Sequence, residues 1–175
     1  MMATINALQP KLNWYAVYTR FKAEKKVEER LSLQGFDSFL PLQTVTRQWS
    51  DRKKKVQVPL INSYVFVRSE KKDLAKIYQV SGVVSILKYL GNYAIVKNTE
   101  IENLRILSNN GLPIQTSNQA INLSKGEKVN VLSGPFMGLQ ATYVMNGGKH
   151  KVIVEIETLG TYIEVTMPLH GIQDI

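Results

Sequence analysis

Residues 126–144 read GEKVNVLSGPFMGLQATYV, two strand-like runs (127–132 and 139–145) parted by a glycine-rich turn. Gly134 and Gly138 open backbone angles closed to other residues, and Phe136 is placed to seal one end of a small barrel. Downstream, residues 151–157, 162–167 and 172–175 repeat the short-strand pattern, with Gly147, Gly148 and Gly160 at the turns. Five short strands with no helix between them predict a small β-barrel over residues 125–175.

Upstream of the barrel, residues 111–124 (GLPIQTSNQAINLS) carry no charge and show neither a helical nor a strand period. That composition predicts a flexible linker. It separates two unlike charge balances. Residues 1–110 hold 18 Lys and Arg against 9 Asp and Glu, net +9, whereas residues 111–175 hold 4 against 5, net −1. The 175-residue chain is therefore +8, and the excess favours a polyanionic partner for its first half. Two domains are expected, 1–110 and 125–175, the second tethered and free to recruit a partner of its own.

Within residues 1–110, NWYAVYT at 13–19 is aromatic and β-branched, a strand with Trp14, Ala16 and Tyr18 on one face. Residues 22–34 read as a helix, because Ala23, Val27 and Leu31 recur four apart; Gly35 follows where a left-handed C-terminal residue belongs. Residues 36–49 fit one or two strands interrupted at Pro41, and residues 64–68 fit another. Leu74, Ile77 and Tyr78 mark one face of a second helix over 71–80; residues 83–87 and 93–96 read as short strands. Asn98 fits the N-cap of a third helix bearing Ile101, Leu104 and Leu107, with Glu100 near its positive end. The fold class is α+β: a mixed α/β sandwich with helices covering a sheet, then a five-stranded barrel.

The chemistry the sequence omits is equally informative. There is no cysteine, which excludes disulfides, thiol nucleophiles and thiolate zinc sites. His150 and His170 are the only histidines, and each reads as a surface or turn residue. Neither GxxxxGK[ST] nor GxGxxG occurs, and most acids interleave with lysines on helix faces. These observations point away from an enzyme, and toward no cofactor and no metal. Residues 1–10 lack a basic leader region, and no stretch reaches the ~18 apolar residues of a membrane span. A soluble, cytoplasmic monomer without a membrane partner is expected.

One segment gathers positive charge around an aromatic ring. Arg47, Trp49, Arg52, Lys53, Lys54 and Lys55 are opposed only by Asp51, net +4. The cluster fits a hairpin tip reaching toward a phosphate backbone, with Trp49 available for base stacking. It also fits a solvated hairpin that only aids solubility. Arg20, Lys22 and Lys26 add positive charge in the same domain.

Taken together, several strings resemble the NusG family. Residues 126–144 resemble its KOW motif, and residues 13–31 (NWYAVYTRFKAEKKVEERL) resemble the opening of its N-terminal domain. Residues 59–67 (PLINSYVFV) resemble a strand that in the family usually reads PLFPGYVFV, and Gly82-Val83-Val84 resembles its later glycine-valine strand. The resemblance spans nearly the whole chain in the family's order. It implies a transcription elongation or antitermination factor. The family's N-terminal domain docks on the clamp helices of the RNA polymerase β′ subunit through an apolar depression, bridges toward the β subunit and touches the non-template DNA strand. Carried onto this chain, the depression comprises Tyr18, Ile61, Tyr64 and Ile86, with Trp14 beside it; Trp14 and Tyr18 fit the domain's own core equally well.

The resemblance further implies a second partner for the KOW domain, either Rho or a small-subunit ribosomal protein, and Phe136, Leu159 and Gly160 occupy the matching positions. The chain departs from the family pattern twice: Asn62-Ser63 replaces Pro-Gly, and Ala141 replaces the second KOW glycine. Both departures resemble the specialised RfaH and UpxY groups, which serve particular operons such as surface-polysaccharide clusters. Some RfaH-type C-terminal domains fold instead as a helical hairpin, but the β-rich residues 129–165 predict a barrel. A function of another class, a free-standing or ribosome-associated RNA-binding KOW protein, fits poorly with a second half of net −1.

Overall fold

The computed structural model describes residues 10–108, 114–117, 126–146, 149–167 and 172–174. β1 (Asn13–Thr19) is the centre of the first domain. On one edge it pairs with β5 (Tyr64–Ser69), which pairs in turn with β2 (Asp37–Phe39). On the other edge β6 (Val83–Ile86) flanks its C-terminal half and β9 (Ile95–Val96) its first half; every pairing is antiparallel. The period of two then sorts side chains between faces. Tyr15, Val17, Val65 and Val67 close one core with α1 (Glu24–Leu33) and α2 (Leu74–Tyr78), through Val27, Leu31, Leu74 and Ile77. Trp14, Ala16 and Phe66 face the other way, against Ile101, Leu104 and Leu107 of α3 (Asn98–Ser108).

Helix ends follow local chemistry. Gly35 sits at φ +82°, and the N–H groups of Gly35 and Phe36 return to the carbonyls of Ser32 and Leu31 at 2.9 and 3.1 Å, closing α1 where the sequence placed its end. α3 departs from expectation by one residue. The N–H groups of Glu100 and Ile101 bond the Lys97 carbonyl, and Glu100 Oε2 accepts the Lys97 N–H at 3.0 Å. Lys97 is therefore the cap, and the acid three residues on closes a capping-box contact that the Asn98 reading omitted.

Two hairpins complete the domain: β3 (Leu42–Gln48) with β4 (Lys53–Pro59), and β7 (Lys88–Tyr89) with β8 (Asn92–Tyr93). The helix expected over 71–80 is shorter, because Lys71–Asp73 form a tighter 3₁₀ turn before α2.

The second domain has the five expected strands: β11 (Glu127–Val131), β12 (Gln140–Asn146), β13 (Lys149–Ile156), β14 (Thr161–Thr166) and β15 (Ile172–Asp174). A sixth, β10 (Gln115–Ser117), lies inside the segment expected as linker and pairs with β14, giving the order β10-β14-β13-β12-β11-β15. Residues 111–113 and 118–124, Gly147, Gly148 and His170 lie outside the described residues. Val129, Val131, Val152, Val154, Ile163 and Val165 point inward. Phe136 is only 3% exposed beside Leu139, and Gly138 N–H bonds the Val131 carbonyl at 2.8 Å, so the turn folds back over the core as its glycines allow.

The barrel packs on α3, and one apolar cluster runs from Trp14, Ile61 and Leu104 into Val129, Phe136 and Leu139. α3 is buried on two sides because it serves as floor for the sheet and as wall for the barrel.

Candidate protein-binding and nucleic-acid-binding sites

The candidate protein-binding site lies on the face of the sheet that packs on α3. Tyr18 and Tyr64 face each other directly across β1 and β5, on the same face as Trp14, Ala16 and Phe66. Their ring centroids are 5.4 Å apart at 55°, a tilted contact that fixes both rings. Tyr18 is 40% exposed, whereas Ile61, at the turn leading into β5, is 6% exposed. Burial, then the neighbouring Tyr18, hold the Tyr64 phenol above its usual range, so it stays a neutral hydroxyl at physiological pH.

That turn is fixed by buried polar contacts. Ser63 N–H donates to Glu24 Oε1 at 2.8 Å, and the Ser63 carbonyl accepts the Thr19 N–H at 2.9 Å. Ser63 holds φ +62°, a left-handed conformation, at the position where the family pattern has glycine.

Ile61, Asn62 and Tyr64 line a cavity of about 340 Å³ whose far wall is Thr116, Leu159 and Thr161 of the second domain. Leu159, a residue assigned from resemblance to the second partner, thus lies across one cavity from Ile61 and Tyr64, assigned to the first. α3 holds it there. Glu100 Oε2 accepts the Thr158 hydroxyl at 3.0 Å, while Asn103 exchanges two hydrogen bonds with the Gln140 backbone at 2.9 and 3.1 Å. Lys97 Nζ pairs with Glu157 at 2.5 Å, and that contact is the main reason its ammonium titrates above the usual range. Glu100 and Asn103 are buried, so each polar atom needs these partners. Neither was expected as an interface residue, because in the sequence both read as ordinary polar positions on α3.

The basic segment folds as the β3–β4 hairpin, half-buried at its base and exposed at its end. Trp49 and Arg52 close the turn through a 2.8 Å backbone bond. Arg47 stands directly opposite Lys54, and Lys53 and Lys55 oppose Gln48 and Thr46, so cations occupy both faces. Trp49 is 49% exposed, with Lys54 Nζ 5.2 Å from its ring centre. A like-charged pair across a two-stranded ribbon is unfavourable unless an anion lies nearby. Arg20, Lys22 and Lys26 are exposed around the β1–α1 junction, and Lys25 of α1 reaches the Gln57 carbonyl of β4 at 2.9 Å.

Three expected contacts sit elsewhere. Ile86 is 2% exposed and belongs to the opposite core with Val17 and Val27, because β6 turns it toward α1 and α2. Trp14 is covered by α3 and lies under the Arg105 guanidinium, 5.7 Å from its ring centre. Phe136 is core; Leu132 and Met137 are the exposed apolar residues on its turn, and Gly160 follows Leu159 at φ +58°. His150 Nδ1 lies 2.6 Å from the Tyr143 hydroxyl, with the rings stacked. Among the described residues no three metal-ligating side chains converge, and no helix is long and apolar enough to cross a membrane.

A family profile described as "Transcription termination factor nusG" matches residues 12–105. A structure of Thermotoga maritima NusG described by its domain interaction is similar over 94% of this chain and 98% of its own, at 20% identity and TM-score 0.54. The MjSpt4:Spt5 complex in conformation B is similar over 93% of this chain and 96% of its own, at 23% identity and TM-score 0.30. No curated protein matches the chain closely.

Proposed function

The chain belongs to the NusG family of transcription elongation factors, and from that premise we propose that it binds the β′ clamp helices of RNA polymerase through Tyr18, Tyr64 and Ile61. The observation that carries this reading is the pairing of exposed Tyr18 with half-buried Tyr64, beside a cavity that Ile61 also lines. An aromatic-lined apolar patch is what a helical hairpin from a partner buries most favourably. Trp14 supports the patch from within, Ile86 belongs to the opposite core, and neither touches the partner.

The second domain regulates access. Because Leu159 and Thr161 wall the same cavity, polymerase reaches Ile61 only after the barrel leaves α3, and Leu159 becomes available to a second partner at the same moment. Rho or a small-subunit ribosomal protein is the partner class the resemblance implies. Once polymerase is bound, the β3–β4 hairpin, with Arg47, Trp49, Arg52, Lys53, Lys54 and Lys55, contacts the non-template DNA strand toward the β subunit, supplemented by Arg20, Lys22 and Lys26. Domains 1–110 and 125–175 act as separate modules in that open state. The Ser63 and Ala141 departures support a specialised paralogue serving particular operons, such as surface-polysaccharide clusters.

Retention of core RNA polymerase by the tagged full chain tests the contact. The double variant Tyr18→Ala/Tyr64→Ala is expected to lose at least tenfold in retained polymerase. Equal retention removes the site, and no retention by the parent chain removes the function.

A further inference from the structure

At the other end of β1, on the opposite face of the sheet from Tyr18, lies an open cavity of about 470 Å³. Its walls come from three elements: Lys11 and Asn13 at the start of β1, Glu70 to Lys72 after β5, and Asn92, Tyr93 and Ile95 around β8 and β9. Buried Tyr15 forms the floor and meets the Tyr93 ring edge-on, 6.4 Å between centroids at 81°. Lys88 Nζ lies 4.9 Å from the Tyr93 ring centre. The one lining carboxylate, Glu70, is held by Lys72 at 2.9 Å, which leaves Lys11, Lys71 and Lys88 in excess. Beyond the rim, the β7–β8 turn presents Tyr89 and Leu90 to solvent, 72% and 83% exposed.

We propose that this cavity and its rim bind single-stranded nucleic acid at a site separate from the β3–β4 hairpin. The lysines supply phosphate contacts, Tyr93 and Tyr89 supply stacking surfaces, and the Asn13 and Asn92 amides supply hydrogen bonds for a base or sugar. A cavity this size matches pockets for one compact unit. The cations and aromatic rings continue past it along the β7–β8 edge, which favours a strand over a free nucleotide. The site lies three to five residues along β1 from Tyr18 and on the other face, about 10–16 Å away at ~3.3 Å per residue, so a partner at Tyr18 leaves it open.

The test uses the full chain with fluorescein-labelled twelve-nucleotide uridine RNA and thymidine DNA, followed by anisotropy from 50 to 200 mM salt. Lys11→Gln/Lys71→Gln is expected to weaken binding about tenfold and to lower the salt slope by ~1.4, at ~0.7 per phosphate contact. Tyr89→Ala, at an exposed turn, is expected to weaken binding without changing the slope. Photocrosslinking with 5-iodouridine is expected to mark Tyr89 or Tyr93; the stronger of the two oligonucleotides identifies the sugar. Lys53→Gln/Lys54→Gln/Lys55→Gln is measured in parallel, so that a hairpin site and this site fail independently. An unchanged slope in the Lys11/Lys71 variant, with no crosslink between residues 88 and 95, overturns the proposal.

Discussion

Two backbone positions show how single residues set this fold. Ser63 adopts φ +62° so that its N–H can meet Glu24 and its carbonyl can meet Thr19. A side chain in that region costs roughly 1–2 kcal/mol, part of which glycine gives back as lost chain entropy. Ser63→Gly is expected to stabilise the protein by about 0.5–1 kcal/mol, read as a higher urea midpoint at unchanged m-value; a lower midpoint refutes the account of the turn. Gly82 is the converse. At φ +101°, a Cβ there would lie 2.7 Å from Val27 Cγ2, inside the α1 core. Gly82→Ala is expected to cost about 2–4 kcal/mol from backbone strain and overpacking together. An unchanged thermal midpoint contradicts it. The first position was legible only by comparison with the family's Pro-Gly, whereas the second appears in sequence as one glycine before two valines.

At the scale of elements, legibility followed side-chain alternation. NWYAVYT gave β1 residue for residue, and the barrel strands were marked by glycines between apolar runs. A hairpin around Trp49 was expected, but the range of β4 was hidden because KKKVQVP reads first as a charge run, and β10 was hidden because Gln-Thr-Ser has no apolar residue to alternate. The docking face of α3 was hidden for a different reason. Glu100 and Asn103 look solvated until partners 58 and 37 residues away are known. Lys53→Gln/Lys54→Gln/Lys55→Gln is expected to lower the salt slope of association with a transcription bubble by ~2, at ~0.7 per single-strand phosphate contact. It also relieves the Arg47–Lys54 repulsion. A parent-like slope would leave the hairpin a solubilising surface only.

Across the whole molecule, the two domains share α3 and wall one cavity, so the residues proposed to face partners mask one another. The family and both domain types could be read from motifs. Their relative placement could not, since it depends on polar contacts with no periodic signature. Removing Asn103 breaks two hydrogen bonds worth about 1 kcal/mol each at the interface and touches neither Tyr18 nor Tyr64. Apparent affinity scales with the fraction of open molecules, so a shift of about 1.4 kcal/mol corresponds to as much as tenfold. The affinity of the full chain for core RNA polymerase, measured for the parent and for Asn103→Ala, tests the arrangement most directly. The account predicts several-fold tighter binding by the variant; equal or weaker binding would contradict it.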